Sequence, residues 1–334
     1  MNSQLIKART IKNDEYYTLL SDIEEELQHY SDFFRGKVVY CNCDNPYKSQ
    51  FFQFFINNFN AYEIKQLICS CWNGEESSKL KLFEAYAQSN KRAILAIVNR
   101  VTTNSVTQTL DDSDNTVMKL IGTGSYNSKE CFEYLDMADV IVTNPPFSKY
   151  TEYLTYLIEH EKKFILVSPK FAVIYKSFFS YFRENKISIG YKRMNTDMYF
   201  TVPDSSTSYD RIVNGLKQKK LMACWFTNLP VDRHYNKYSF KNTYSPAEYL
   251  SYSNYDAIEV PSIYDIPDNY YGLMGVPLTF FDVYNPDQFE IIDVSPHFLY
   301  TQLTNQVDKQ LKIQGKPDPY ARIIIRRKRD ATDI

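Results

Sequence analysis

Glycine is scarce, 9 in 334 residues. Phosphate-cradling and dinucleotide-binding loops use glycine for tight turns and close backbone approach, and the chain contains neither a G-x-G-x-x-G nor a Walker-type loop. A nicotinamide oxidoreductase and a P-loop nucleotide hydrolase are therefore not expected. Long apolar runs are missing too. No stretch of about 18 uncharged apolar residues occurs, and the opening MNSQLIKARTIKNDE has no apolar segment behind its charges, so neither membrane spanning nor export is expected. No excess of one charge exists: 38 Lys and Arg face 40 Asp and Glu, a net −2. Six cysteines, at 41, 43, 69, 71, 131 and 224, do not make the dense framework of a small secreted domain, which predicts a reduced, cytoplasmic protein. Zinc sites use longer C-x₂₋₄-C spacing than the two C-x-C pairs, and His29, His160, His234 and His297 show no ligand spacing; no metal is expected.

What is abundant is aromatic: 29 Tyr, 22 Phe and 2 Trp, 16% of the chain. With 44% apolar and 23% charged residues the chain can bury a sizeable core. Apolar residues at steps of three and four predict an amphipathic helix over 14–34, and further helices around Phe51–Phe59, 128–137 and 149–160. Between them lie short apolar runs: Lys37–Cys41, Leu67–Cys71, Ala93–Val98, 139–143 and 163–168. Uniformly apolar strands alternating with helices predict an α/β fold with a mostly parallel sheet covered by helices on both faces. In such sheets, ligands sit beyond the carboxyl ends of the strands. After about residue 195 the texture changes to Pro, Asn, Ser and Tyr punctuation. The expected organisation is a core over 1–195 and an irregular, loop-rich region over 196–334, whose strands Met222–Phe226 and Arg322–Ile325 could still join the main sheet.

The stretch DVIVTNPPF runs a buried strand straight into Asn144, Pro145, Pro146 and Phe147. An exocyclic amine on a nucleobase is a weak nucleophile because its lone pair is delocalised into the ring. An enzyme acting there must meet both N–H bonds with acceptors as the nitrogen becomes tetrahedral. An Asn side-chain oxygen supplies one and the Pro145 carbonyl the other, with proline fixing φ and donating nothing. The neutral amide polarises the amine without trapping a cation, and Phe147 offers a face on which an extruded base can stack. The other reading, a strand-ending turn, is opposed by its place after an apolar strand.

The chain resembles the EcoRI-type adenine-specific DNA methyltransferases along nearly its whole length. The resemblance rests on DEYYTLLSDIEEELQHY, KVVYCNCDNP, DVIVTNPPFSKYTEYL with KKFIL, ENKISIG, CWFTNL, YDAIEV, YYGLMGVPLTFF with NPDQFE, and YARIIIRRKR. It implies a Rossmann-like methyltransferase fold, S-adenosylmethionine as methyl donor and an adenine amino nitrogen in a short site of duplex DNA as target. Base flipping, a companion restriction endonuclease, and a monomer with no stable protein partner are implied with it. Asn144 to Phe147 carry over as the catalytic motif, and Tyr17 and Thr18 match the amino-terminal motif lying over the methionine end, ordinary helix packing being the alternative for Tyr17.

In related amino-methyltransferases the first strand ends in an acidic, glycine-rich loop; here the glycine-free Cys41–Pro46 follows Val39, a form shared with the EcoRI type. Asp44 is the candidate for the donor's ammonium, with Asn42 and Asn45 as polar neighbours. Alternatively, Asp44 and Asn45 cap a helix beginning near Tyr47. The resembling enzymes have acids at the positions of Thr123 and Ser125, whereas Gly122–Tyr126 offers only the Ser125 hydroxyl for the donor's adenine amine and Tyr126 to pack on the purine. That departure motivates a rival: a DNA-binding or restriction-blocking protein that kept the fold and lost turnover. Another rival keeps the chemistry and changes the acceptor to RNA or a protein glutamine. Phosphate contacts are expected from Lys217, Lys219 and Lys220 and from Arg322, Arg326, Arg327, Lys328 and Arg329, since local cations must offset the overall charge; solvated faces are the alternative.

Overall fold

The computed structural model describes residues 16–71, 93–295, 310–317 and 319–329. The opening segment to residue 15 and His297 lie outside the described residues. In chain order the strands are β1 (Tyr17–Thr18), β2 (Val38–Asn42), β3 (Gln66–Ser70), β4 (Ile94–Val98), β5 (Thr116–Lys119), β6 (Val140–Thr143), β7 (Lys163–Pro169), β8 (Ser188–Ile189), β9 (Met198–Thr201), β10 (Arg211–Val213), β11 (Leu216–Leu221), β12 (Ala223–Thr227), β13 (Ile258–Glu259), β14 (Leu273–Pro277), β15 (Phe289–Ser295) and β16 (Arg322–Arg327). The helices are α1 (Leu20–Leu27), α2 (Ser31–Phe34), α3 (Gln50–Asn58), α4 (Val106–Asp111), α5 (Lys129–Met137), α6 (Tyr150–Glu159) and α7 (Lys176–Arg183). None of the described helices is long and apolar enough to cross a membrane.

The chain divides into two compact units, each made of two stretches. One runs to Pro169 and resumes over Asp197–Thr227; the other comprises Lys170–Thr196 and the chain from Asn228 onward. The chain crosses between them after Pro169, Thr196 and Thr227.

In the first unit the main sheet runs β5-β4-β3-β2-β6-β7-β12. Only β3-β2-β6-β7 are parallel; β4, β5 and β12 join antiparallel, so the sheet is mixed where a mostly parallel one was expected. A uniformly apolar strand reports burial on both faces, not direction. β4 (ILAIV) and β12 (ACWFT) therefore look like their parallel neighbours. The parallel pairs β2/β3 and β6/β7 are each joined through a helix, as parallel crossovers require. α3 is started by Ser49, whose side chain accepts from the Phe52 N–H, and it buries Phe51, Phe52, Phe54, Phe55 and Ile56. Ser128 caps α5 in the same way.

Helix over 14–34 was expected, but Tyr17 and Thr18 form β1, antiparallel to β9 with Tyr17 opposite Thr201 and Thr18 opposite Phe200. A distant strand partner overrides local periodicity for an aromatic and β-branched pair. The helix proper begins at Leu20 and buries Ile23, Glu26 and Leu27. A second, antiparallel sheet of this unit has the order β1-β9-β11-β10.

The second unit contains the sheet β13-β14-β16-β15. β16 therefore joins β14 and β15 and not the main sheet, whereas β12 does join it. Ile323, Ile324 and Ile325 are fully buried at its centre.

Candidate active site

Because β2, β3 and β6 are parallel neighbours, their carboxyl ends open at one edge of the main sheet. β4 returns antiparallel and β5 reverses again, so the segment after β5, Gly122–Tyr126, reaches the same edge. Gly124 is why it can lie there. Its φ is +72°, and a Cβ would fall inside contact distance of the Cys71 carbonyl oxygen and the Ala93 methyl. The Glu130 carboxylate, at the start of α5, accepts from the Ile121 and Gly122 N–H groups at 3.1 Å each and holds the loop. GTGSY is thus a pinned loop.

At the end of β6, Asn144 and Phe147 are half-buried, Pro145 is buried and Pro146 exposed. The Asn144 Nδ2 donates to the Tyr16 carbonyl at 2.7 Å. That bond orients the amide, so Oδ1 remains as the acceptor. Phe147 meets Phe200 of β9 edge to face at 6.5 Å between centroids. Since Phe200 lies opposite Thr18, the amino-terminal strand and the N-P-P-F turn share one neighbourhood.

Asp44, at the end of β2, is half-buried, and its two oxygens accept from Ser49 at 2.8 Å and Thr143 at 2.7 Å. Burial raises its carboxyl to about 6, against the lowering effect of those hydroxyls. No cation pairs with it among the described residues. The helix cap is Ser49, and Asn45 instead closes an Asx turn by accepting from the Tyr47 N–H at 3.0 Å. Asn42 is 1% exposed; its Oδ1 accepts from the Tyr153 hydroxyl, and its Nδ2 has no partner among the described residues. Thr18 is 4% exposed with an equally unpartnered hydroxyl. Tyr126 packs edge to face on Tyr153 at 4.9 Å, and the Ser125 hydroxyl donates to Asn127 Oδ1 at 2.7 Å, keeping its lone pairs. Tyr17 is 37% exposed. Burial, seconded by Asp44, pushes up the Cys41 and Cys43 thiols, which remain neutral; all six cysteines are unbridged.

Thr143 ties the two halves together. Its hydroxyl faces both the Asn42 carbonyl and Asp44, one residue before Asn144. Sequence reasoning missed Thr143, Tyr16, Tyr153 and Phe200. Thr143 could have been found from its place beside Asn144 at the end of a parallel strand; the others carry no local signal.

The basic candidates fall into two groups. Lys217, Lys219 and Lys220 lie on β11, in the unit that holds Asn144: Lys217 donates to the carbonyls of Asp204 and Ser206, Lys219 to the Ser208 hydroxyl, and Lys220 pairs with Asp197 at 3.0 Å. The others lie on or just after β16 in the second unit. Arg322 is 8% exposed and locked to Glu259 at 2.6 Å, which removes it from the surface and from phosphate contact. Arg326 pairs loosely with Glu290 at 3.5 Å, Arg327 is half-buried with one unpartnered nitrogen, Lys328 is exposed, and Arg329 lies over the Tyr271 ring at 5.4 Å.

Comparison with known proteins gives the family. The family described as adenine-specific methyltransferase EcoRI matches residues 4–328. The type II methyltransferase M.EcoRI of Escherichia coli is 36% identical, over 98% of this chain and 97% of its own. The type II methyltransferases M.MgeORF184P of Mycoplasma genitalium and M.MpnI of Mycoplasma pneumoniae are 36% and 34% identical, each over 86% of this chain and 84% of their own. No solved structure matches. A family match spanning all but the ends of the chain, together with full-length relatives of the same class, places this chain in the EcoRI family of adenine-specific methyltransferases.

Proposed function

We propose that the protein methylates the amino nitrogen of a flipped adenine in a specific site of duplex DNA, with S-adenosylmethionine as donor, on a Rossmann-like core. The observation that carries this is the 2.7 Å bond from Thr143 to Asp44, which brings the donor-side loop and the N-P-P-F turn within one hydrogen bond of each other. Transfer needs donor and acceptor held together in near-attack geometry, and adjoining loops at one sheet edge supply that.

The residues fit the donor. Asp44 is a carboxylate without a cation, suited to an ammonium. The Asn42 Nδ2 and Thr18 hydroxyl are buried polar groups awaiting partners, which a bound polar ligand would satisfy. Tyr126 supplies a ring face for a purine, and Tyr17, Asn45 and Ser125 complete the set. When bound, S-adenosylmethionine supplies an electrophilic methyl on a sulfonium. The protein's work is on the acceptor. Asn144 Oδ1, fixed by the Tyr16 carbonyl, and the Pro145 carbonyl accept the two N–H bonds of the amine, drawing its lone pair out of the ring, while Phe147 stacks on the base. No strong general base is required, because the proton leaves after the nitrogen has been alkylated.

Residues 196–334 are read as carrying target recognition, with Lys217, Lys219, Lys220, Arg326, Arg327, Lys328 and Arg329 as the phosphate contacts. A cytoplasmic monomer protecting DNA from a cognate endonuclease completes the reading. Labelled methyl transfer to mixed genomic DNA, followed by base analysis, tests it: label is expected in N6-methyladenine, with Asn144→Ala lowering incorporation by at least about a hundredfold, on the scale of a lost transition-state contact. Equal incorporation by both proteins would remove Asn144 from the mechanism. No heat on titration with millimolar donor would favour the binding-only alternative.

A further inference from the structure

The β10–β11 hairpin ends in a feature that neither the catalytic centre nor the core uses. Its turn, Asn214–Gly215, has positive φ at both positions, +50° and +78°, the tight two-residue turn whose twist matches the flanking strands. Around it stand three large apolar side chains: Ile212 is 56% exposed, Val213 39% and Leu216 50%. Val213 faces Leu216 across the ladder, so these two share one face of the tip and Ile212 lies on the other. β10 is also the outer strand of its sheet. An apolar tip on an edge strand is a standing association hazard unless it has an occupant.

The base of the hairpin is braced. Arg211 donates to Gln218 at 2.8 Å and lies over the Tyr199 ring at 3.4 Å, Lys217 is held by the Asp204 and Ser206 carbonyls, and the Asp210 N–H bonds the Gln218 carbonyl. The side-chain and carbonyl partners of Arg211, Lys217 and Lys219 are neutral, so these three charges are not cancelled. A rigid two-stranded ribbon with an apolar point and cations behind it matches a duplex, whose interior is stacked and apolar and whose exterior is phosphate. The sheet that carries it also carries Phe200, against the Phe147 ring, and by strand geometry the tip lies roughly 10–15 Å from Phe200, a few base-pair steps.

We propose that Ile212, Val213 and Leu216 form a wedge that enters duplex DNA within a few base-pair steps of the adenine to be methylated, and that the wedge promotes its extrusion. This rests on the duplex-DNA reading above. The wedge fills space between base steps and offsets lost stacking, while Lys217 and Lys219 meet the flanking phosphates.

The test is single-turnover methyl transfer by the full chain and by the variant Ile212→Ser, Val213→Thr, Leu216→Ser. Two duplexes are compared, one fully paired and one with a mismatch opposite the target adenine, which removes most of the extrusion cost. The variant is expected to be at least about tenfold slower on the paired duplex, within about threefold of wild type on the mismatched one, and unchanged in donor titration. Fluorescence of 2-aminopurine at the target position should rise less with the variant on the paired duplex. Equal loss on both duplexes, or no loss on either, would overturn the wedge. So would a wild-type dimer that the variant abolishes, since the tip would then cover a second copy. Should the triple variant fail to fold, Val213→Thr alone must still slow the paired substrate selectively. A wild type that transfers methyl to neither duplex would bring down the function itself, whereas an active wild type indifferent to its tip would sink only the wedge.

Discussion

Thr143 is fully buried, and the single proton of its hydroxyl is shared between two acceptors, the Asn42 carbonyl and the Asp44 carboxylate. Replacing it by valine keeps the shape and the β-branched preference of the strand but removes the one proton that these two oxygens share. Each buried unsatisfied group costs about 1–3 kcal/mol. Thr143→Val is expected to lose stability on that scale in urea unfolding and to weaken donor binding, with kcat falling as the turn drifts from the donor loop. Thr143→Ser, which restores the hydroxyl, should recover both. A serine variant as impaired as the valine one would show that packing, not the hydrogen bond, matters there. The N-P-P-F motif itself was legible from sequence because its chemistry is local: one amide, two fixed φ angles and a ring. The Tyr16 carbonyl that orients the amide was not, since a backbone oxygen carries no residue-type signal.

Among the elements, β16 shows how composition misleads. A run of arginines and a lysine after three isoleucines reads as a basic tail, yet Arg322 is turned inward on Glu259, to which Tyr252 also donates. The strand is buried on both faces from Arg322 to Ile325, so Arg322, which alternation places on the face of Ile324, is held inside the unit where Glu259 meets it. Arg322→Ala leaves a buried carboxylate without its cation, a loss of about 3–5 kcal/mol. Thermal unfolding should show it. Were Arg322 a phosphate contact instead, the variant would keep its stability and lose a part of the salt dependence of DNA binding. The helices α3, α5 and α6 were visible from apolar spacing; β1 was not, because its partner β9 lies about 180 residues away.

For the whole molecule, pH links the active site to global stability. Burial holds the Asp44 carboxyl at about 6 against an ordinary 3.8. The fold favours the protonated form, so between about pH 4 and 6 the folded chain binds more protons than the unfolded one, and stability falls as pH rises through that window. The contribution is fully present below about pH 4 and gone above about pH 6. Asp44→Asn removes the penalty of the buried charge: at about pH 8 the variant is expected to resist urea better than wild type, and at about pH 4 equally well, while donor binding is lost. A variant less stable at about pH 8 would mean that the ionised carboxylate is a net stabiliser in its hydroxyl pair.

By itself the sequence determined what depends on neighbours along the chain: the periodic helices, the apolar strands, the turn that follows β6, and membership of a family whose pattern spans residues 4–328. Only the tertiary structure decided strand direction, which strand ends meet, and which charges face inward. Apolar pattern encodes how deeply a residue is buried, whereas direction, adjacency and pairing come from segments far apart in sequence that meet only when the sheet closes. Thr143 and Asp44, 99 positions apart, are the case in point.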